Sequence, residues 1–129
     1  MKSILMAASL YGASGILLGA FGAHFLKHKL LPDAHSAFET AVYYQLIHAV
    51  VLLVVGSLLR SNLSSLLWAS GVVMASGVLL FSGSIYLLAT RELTGLGSLR
   101  WLGPVTPLGG ILMIAGWLLL LAWVIRLSR

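Results

Sequence analysis

Four long apolar stretches alternate along the chain with short segments that hold its formal charge. Ser3 to Leu26, Thr40 to Leu59, Ser61 to Thr90 and Trp101 to Ile125 contain no Lys, Arg, Asp or Glu. A bilayer core of about 30 Å is crossed by a helix of about 20 predominantly apolar residues, and each stretch is long enough. The pattern predicts an all-α integral membrane protein, a bundle of four transmembrane helices over about 3–26, 38–59, 65–90 and 107–126. The pieces between them are too short to fold alone, so 1–129 reads as one membrane domain. Lys2 ahead of an apolar run with Ala13, Ser14 and Gly15 imitates a secretory leader. The run continues through Phe21 to Leu26, which makes it a span rather than a cleaved signal.

Local signals sharpen two helix starts. Ser36-Ala37-Phe38-Glu39 has the form of a capping box, in which the hydroxyl and the carboxylate satisfy first-turn amides. Thr106-Pro107 sets a capping hydroxyl before a proline at the first helical position, where its missing donor costs nothing. Between helices 3 and 4, Leu93 to Val105 carries Gly95, Gly97, Gly103 and Pro104 and is expected to be irregular. Such backbone belongs at the interface or between helices, because hydrocarbon satisfies no amide.

Small residues suggest how the helices meet. Ala8, Gly12, Gly15, Gly19 and Gly22 recur at steps of four, three, four and three, which places them on one stripe of helix 1. Helix 3 repeats small residues every seven positions in two rows, Ala69-Ser76-Gly83 and Ser70-Gly77-Ser84. In lipid there is no hydrophobic drive between helices, so close approach through small residues is a main source of association. Gly12, Gly15, Gly19, Gly22, Ser76, Gly77 and Gly83 are therefore the expected small-residue packing seams. An average spacing of about 3.5 favours left-handed crossing.

Composition confirms the class. Hydrophobic residues make up 60% of the chain and charged residues 9%, against about 45–50% and 25% in soluble domains, which excludes a soluble globular enzyme. The absence of cysteine removes disulfides, thiolate metal sites and iron–sulfur clusters. The net charge of +5 comes from basic residues scattered singly at span ends, where they snorkel to headgroups. That pattern gives no nucleic-acid partner; membrane lipids, a membrane-protein partner or a second copy are the partners it suits. Four spans put both termini on one side. Lys2, Arg60, Arg126 and Arg129 then oppose Lys27, Lys29, Arg91 and Arg100, an equal division of the eight basic residues that leaves the positive-inside rule tied. Lys2 and the α-amino group on the first helix favour cytoplasmic termini.

Polar side chains collect on the face opposite the termini. His24 closes helix 1; Glu39, Tyr43, Tyr44, Gln45 and His48 descend helix 2; Ser82, Ser84, Tyr86 and Thr90 climb helix 3; Arg91, Glu92 and Thr106 sit at the rim. The candidate polar cluster is His24, Glu39, Tyr44, Gln45, His48, Ser82, Ser84, Tyr86 and Thr106. Tyr44, Gln45 and His48 share one side of their helix, being three and four positions apart. Counted from Ser36, His48 lies about 18 Å along the helix, near the bilayer middle. An ionisable side chain at that depth faces the bundle interior, either as a neutral interhelical hydrogen-bond partner or as a site of proton transfer or ligand contact. Arg91 and Glu92 read as a solvated pair, and Tyr43, Tyr44, Tyr86, Trp101 and Trp123 suit interfacial aromatic belts. His24, His28 and His35 lack metal-ligand spacing, and no metal, cofactor or catalytic set is read from the chain.

At these residues the chain resembles a known family. Gly19-Ala20-Phe21-Gly22-Ala23-His24, Phe38-Glu39-Thr40-Ala41 with Tyr44-Gln45 and His48-Ala49, Leu80-Phe81-Ser82-Gly83-Ser84 with Tyr86, and Thr106-Pro107-Leu108-Gly109-Gly110 with Gly116-Trp117 are similar to the YgdD-like bacterial inner-membrane family of unknown function, related to a small eukaryotic transmembrane family. Phe25 departs from the smaller residue expected after His24. The resemblance implies a four-span protein of the bacterial inner membrane and carries over no established catalytic activity, substrate or cofactor.

Three functions remain open at this level. One is a structural, lipid- or partner-binding bundle; another is an oligomeric small-solute or proton-coupled transporter using Tyr44, Gln45 and His48. The transporter lacks the deep carboxylate that proton exchange usually employs. The third is an enzyme acting on lipid or quinone headgroups, with His24 or His48 as base and helix N-termini holding an anion.

Overall fold

The structure, a computed structural model, describes residues 1–127. Its helices are α1 (Lys2–His24), α2 (Pro32–Leu58), α3 (Ser65–Thr94) and α4 (Val105–Leu127), with single 3-10 turns at Leu26–His28 and Leu99–Leu102. All four are long and apolar enough to cross a membrane. The protein is thus a four-span helical membrane protein. Arg129, counted above on the terminal face, lies outside the described residues.

Helix starts differ from the sequence expectation, each for a local reason. Helix α2 begins at Pro32, preorganised for the first helical position, with Leu31 extended ahead of it and Asp33 in the first turn. Ser36 and Glu39 therefore sit inside the helix and form no capping box; the Ser36 carbonyl instead accepts from Thr40 Oγ1 at 3.0 Å. Helix α4 begins at Val105, two residues early, so Pro107 occupies the third helical position, where an N–H would have no intrahelical acceptor and its lack costs nothing. Thr106 does not serve as the expected cap, and its hydroxyl is used elsewhere.

Helix α3 is the best delimited. Ser64 Oγ accepts from the Leu67 amide at its start. At its end Gly95 adopts φ 71°, a left-handed conformation that glycine takes without steric cost, and the Gly95 and Leu96 amides fold back onto the Arg91 carbonyl. The segment expected to be irregular is thus a short one, since α3 runs on to Thr94 and Leu99–Leu102 is helical.

Neighbouring helices pack in chain order, α1 on α2, α2 on α3 and α3 on α4. At the end holding the N-terminus, Ile4, Ala8, Leu52, Val55, Leu59, Leu67, Met74 and Trp123 form one core. Trp123 is buried there and is no interfacial anchor, unlike the exposed Trp101. At the other end Leu26, Phe38, Val42 and Ala89 form a second core.

Glycines set the closest approaches, though not at every expected position. Gly15, Gly19 and Gly22 lie against Leu46, Val42 and Phe38 of α2. Among the described residues Gly12 and Gly83 have nothing within 4 Å of where a Cβ would stand, and Ser76 is exposed, so the Ala69-Ser76-Gly83 row is no seam between them. The seam is the row Ser70-Gly77-Ser84. It faces Gly109 and Gly116 of α4, which were not among the expected packing residues, and a Cβ on Gly77 would stand 2.7 Å from the Met113 backbone nitrogen. Rows that both repeat every seven residues keep one stripe facing another along two right-handed helices that cross with a left-handed twist.

Candidate functional site

Gln45 stands at the centre of the polar residues, 4% exposed. Its Nε2 donates to the Tyr11 carbonyl at 2.9 Å and to Ser14 Oγ at 2.8 Å, while its Oε1 accepts from the Tyr86 hydroxyl at 2.8 Å. One amide thereby joins α1, α2 and α3. Tyr11 adds a parallel tie, its hydroxyl donating to the Ala75 carbonyl of α3 at 2.7 Å. Tyr86 is further held by its ring, 4.9 Å from that of Phe38.

His48 lies one turn deeper and is 5% exposed. Its Nδ1 is 2.8 Å from the Tyr44 carbonyl, and its Nε2 is 3.3 Å from Trp117 Nε1 of α4. A carbonyl only accepts and an indole N–H only donates, so Nδ1 carries the proton and Nε2 offers its lone pair. Both nitrogens of the neutral ring are then satisfied. The Tyr44 ring stacks on the imidazole, with 15° between planes, and also meets Phe81 at 5.0 Å. Tyr44 and Trp117 are 40% and 45% exposed, so His48 is screened from lipid by a pair of aromatic side chains between α2 and α4.

Serine hydroxyls complete the pattern. Ser82 donates to the Ala41 carbonyl of α2, Ser70 to the Gly116 carbonyl of α4, and Ser84 meets Thr106 Oγ1 at 2.6 Å. Among the described residues no buried side-chain nitrogen or oxygen lacks a partner.

The structure joins Gln45 to Tyr86 in one network and Tyr44 to His48 in another, while Ser82 bonds the Ala41 carbonyl and Ser84 pairs with Thr106. His24 and Glu39 do not join. His24 is exposed at the end of α1. Glu39 is solvent-facing and stands 3.7 Å from His35 Nδ1, whose Nε2–H donates to the Gly22 carbonyl at 3.1 Å. His35, not His24, is therefore the histidine that ties the upper end of α1 to α2. Arg91 and Glu92 form no ion pair; the His35–Glu39 contact is the only one among the described residues. Tyr11, Ser14 and Trp117 were not anticipated. Tyr11 and Ser14 are three apart beside Gly15, and that shared face was the signal available for them.

Among the described residues no group of three His, Asp or Glu is arranged to hold a metal.

A model of the family described as "Protein of unknown function (DUF423)" matches residues 18–110, and the chain belongs to that family. Curated relatives include UPF0382 membrane proteins of Staphylococcus aureus strains USA300, NCTC 8325 / PS 47 and bovine RF122 / ET3-1. Each is 35% identical over 73 residues, 57% of this chain and 60% of the relative. The chain thus spans about 60% of the length of the curated relatives it matches. No solved structure matches significantly.

Proposed function

We propose that this member of the family is a non-catalytic bundle of the bacterial inner membrane, of the YgdD-like group, that binds lipid or a membrane-protein partner and has cytoplasmic termini. The observation carrying this reading is the use of Gln45 and His48. Gln45 spends its hydrogen bonds on α1 and α3, and His48 divides its two between its own helix and Trp117 of α4, as parts that hold the bundle together would. A site that relays protons or grips a solute needs a free donor or acceptor, or a carboxylate at that depth. The exposed apolar faces of α1 and α4 remain for lipid or a partner.

A second reading is an oligomeric small-solute or proton-coupled transporter. The feature in its favour is the position of His48 behind Tyr44 and Trp117, reachable from the lipid side if those rings part. Reconstituted into proteoliposomes under an imposed proton gradient, wild type and His48→Ala should show the same leak as empty vesicles. A substrate-dependent current in wild type that His48→Ala abolishes would overturn the proposal.

A further inference from the structure

Away from the Gln45 cluster, a pocket of about 800 Å³ opens between the first connection, the start of α2 and the end of α3. Its rim carries Lys29, Arg91 and Arg100 together with Asp33 and Glu92. Its wall is apolar, with Leu30, Ile85 and Leu88. We propose that this pocket seats the phosphodiester headgroup of an anionic glycerophospholipid, with the acyl chains running down the Ile85 and Leu88 wall. The inference rests on the reading of the bundle as a lipid- or partner-binding protein and names the ligand class.

Depth is the first argument. Helix α3 has 30 residues, about 45 Å at 1.5 Å per residue, against about 30 Å of hydrocarbon. Its last turns, with Arg91 and Glu92, therefore project into the headgroup layer, while Ile85 and Leu88 remain at the level of the acyl chains. The same holds for α2, whose 27 residues place Asp33 above the hydrocarbon.

Charge is the second. Among the described residues none of the five rim charges has an ion-pair partner, although they share one concavity. Lys29 makes only a cation–π contact, its Nζ 4.0 Å over the Phe25 ring. Three bases against two acids leave one net positive charge, which a phosphodiester with its single negative charge would balance. Guanidinium groups suit phosphate oxygens because they donate two parallel hydrogen bonds. The start of α2, which has no side-chain cap, lines the same pocket through Pro32, Asp33 and Ala34.

The test is thermal unfolding of the full chain in a neutral detergent during titration with short-chain phosphatidylglycerol, phosphatidylcholine of the same chains, or inorganic phosphate. Phosphatidylglycerol should raise Tm saturably, as a ligand bound to the folded state does. The other two should not. Arg91→Gln with Arg100→Gln should raise the half-saturating concentration roughly ten- to hundredfold, while Arg126→Gln on the opposite face should leave it unchanged. Arg100→Gln alone, at an exposed position, keeps the test decisive should the double variant not fold. An equal rise with phosphatidylcholine would reduce the effect to acyl packing. A full rise with inorganic phosphate would make it a free-phosphate site. Either result, no rise at all, or an unchanged titration in the arginine variants, overturns the proposal. Flux in proteoliposomes with the phosphatidylglycerol shift intact would remove the broader reading and leave the pocket; absent flux with no shift would remove the pocket alone.

Discussion

Trp117 of α4 donates its indole N–H to His48 Nε2 of α2 across 3.3 Å, although among the described residues the backbones of these helices do not pack together. A long side chain bridges helices that α3 keeps apart. The bond also selects a tautomer, because it needs a lone pair on Nε2 and leaves Nδ1 to donate to the Tyr44 carbonyl.

Nitrogen-15 NMR of the protein in bicelles should accordingly show a bonded proton on His48 Nδ1 and none on Nε2. Trp117→Phe should cost about 1 kcal/mol by orphaning Nε2 while keeping an aromatic ring in place. A proton found on Nε2 would show that the Trp117 bond does not form.

Gln45 should be the costliest polar position in the spans. Interhelical hydrogen bonds in membranes average about 0.6 kcal/mol and reach about 1.7. Tyr86→Phe removes one bond and should cost about 1 kcal/mol, whereas Gln45→Leu removes the ties to Tyr11, Ser14 and Tyr86 and should cost about 2–3 kcal/mol. Reversible unfolding in mixed micelles measures both. Equal stability of Gln45→Leu and wild type would mean that the network orients the helices without stabilising them.

Glycine substitutions should separate the seam from the open stripe. A Cβ on Gly109 would meet the Phe81 backbone and stand 2.8 Å from the Gly77 carbonyl oxygen, so Gly109→Ala forces α3 and α4 apart and should cost about 1–3 kcal/mol. Gly12→Ala meets nothing among the described residues and should be neutral within about 0.5 kcal/mol. A large cost at Gly12 in the native membrane, absent in dilute detergent, would reveal another chain packed on that stripe.

Gly95→Ala should destabilise by about 1–2 kcal/mol, because an L side chain resists the left-handed conformation at φ 71°. Limited proteolysis should then cut the connection between α3 and α4 faster than in wild type. An unchanged digestion rate would show that the helix end relaxes into another cap.

Much of this was legible in one dimension. Runs without charge mark the spans, because the cost of a charge in hydrocarbon acts on each residue separately, whatever its neighbours. The link between Gln45 and Tyr86 fits their depths, since antiparallel helices bring equal depths together. Helix ends were less legible. Ser36-x-x-Glu39 has the capping pattern, yet Pro32 starts the helix a turn earlier and turns the motif into ordinary surface.

What the sequence by itself determined is class, span number and the depth of each polar group, all properties summed along the chain. Only the tertiary structure decided which side of each helix faces which neighbour. Lipid-facing and buried surfaces are equally apolar, so hydropathy does not report helix rotation. Rotation is why Gly77 meets Met113 while Gly12 and Gly83 meet nothing, and why His35, not His24, holds α1. It is also why Trp117, distant in sequence, takes the last lone pair of His48.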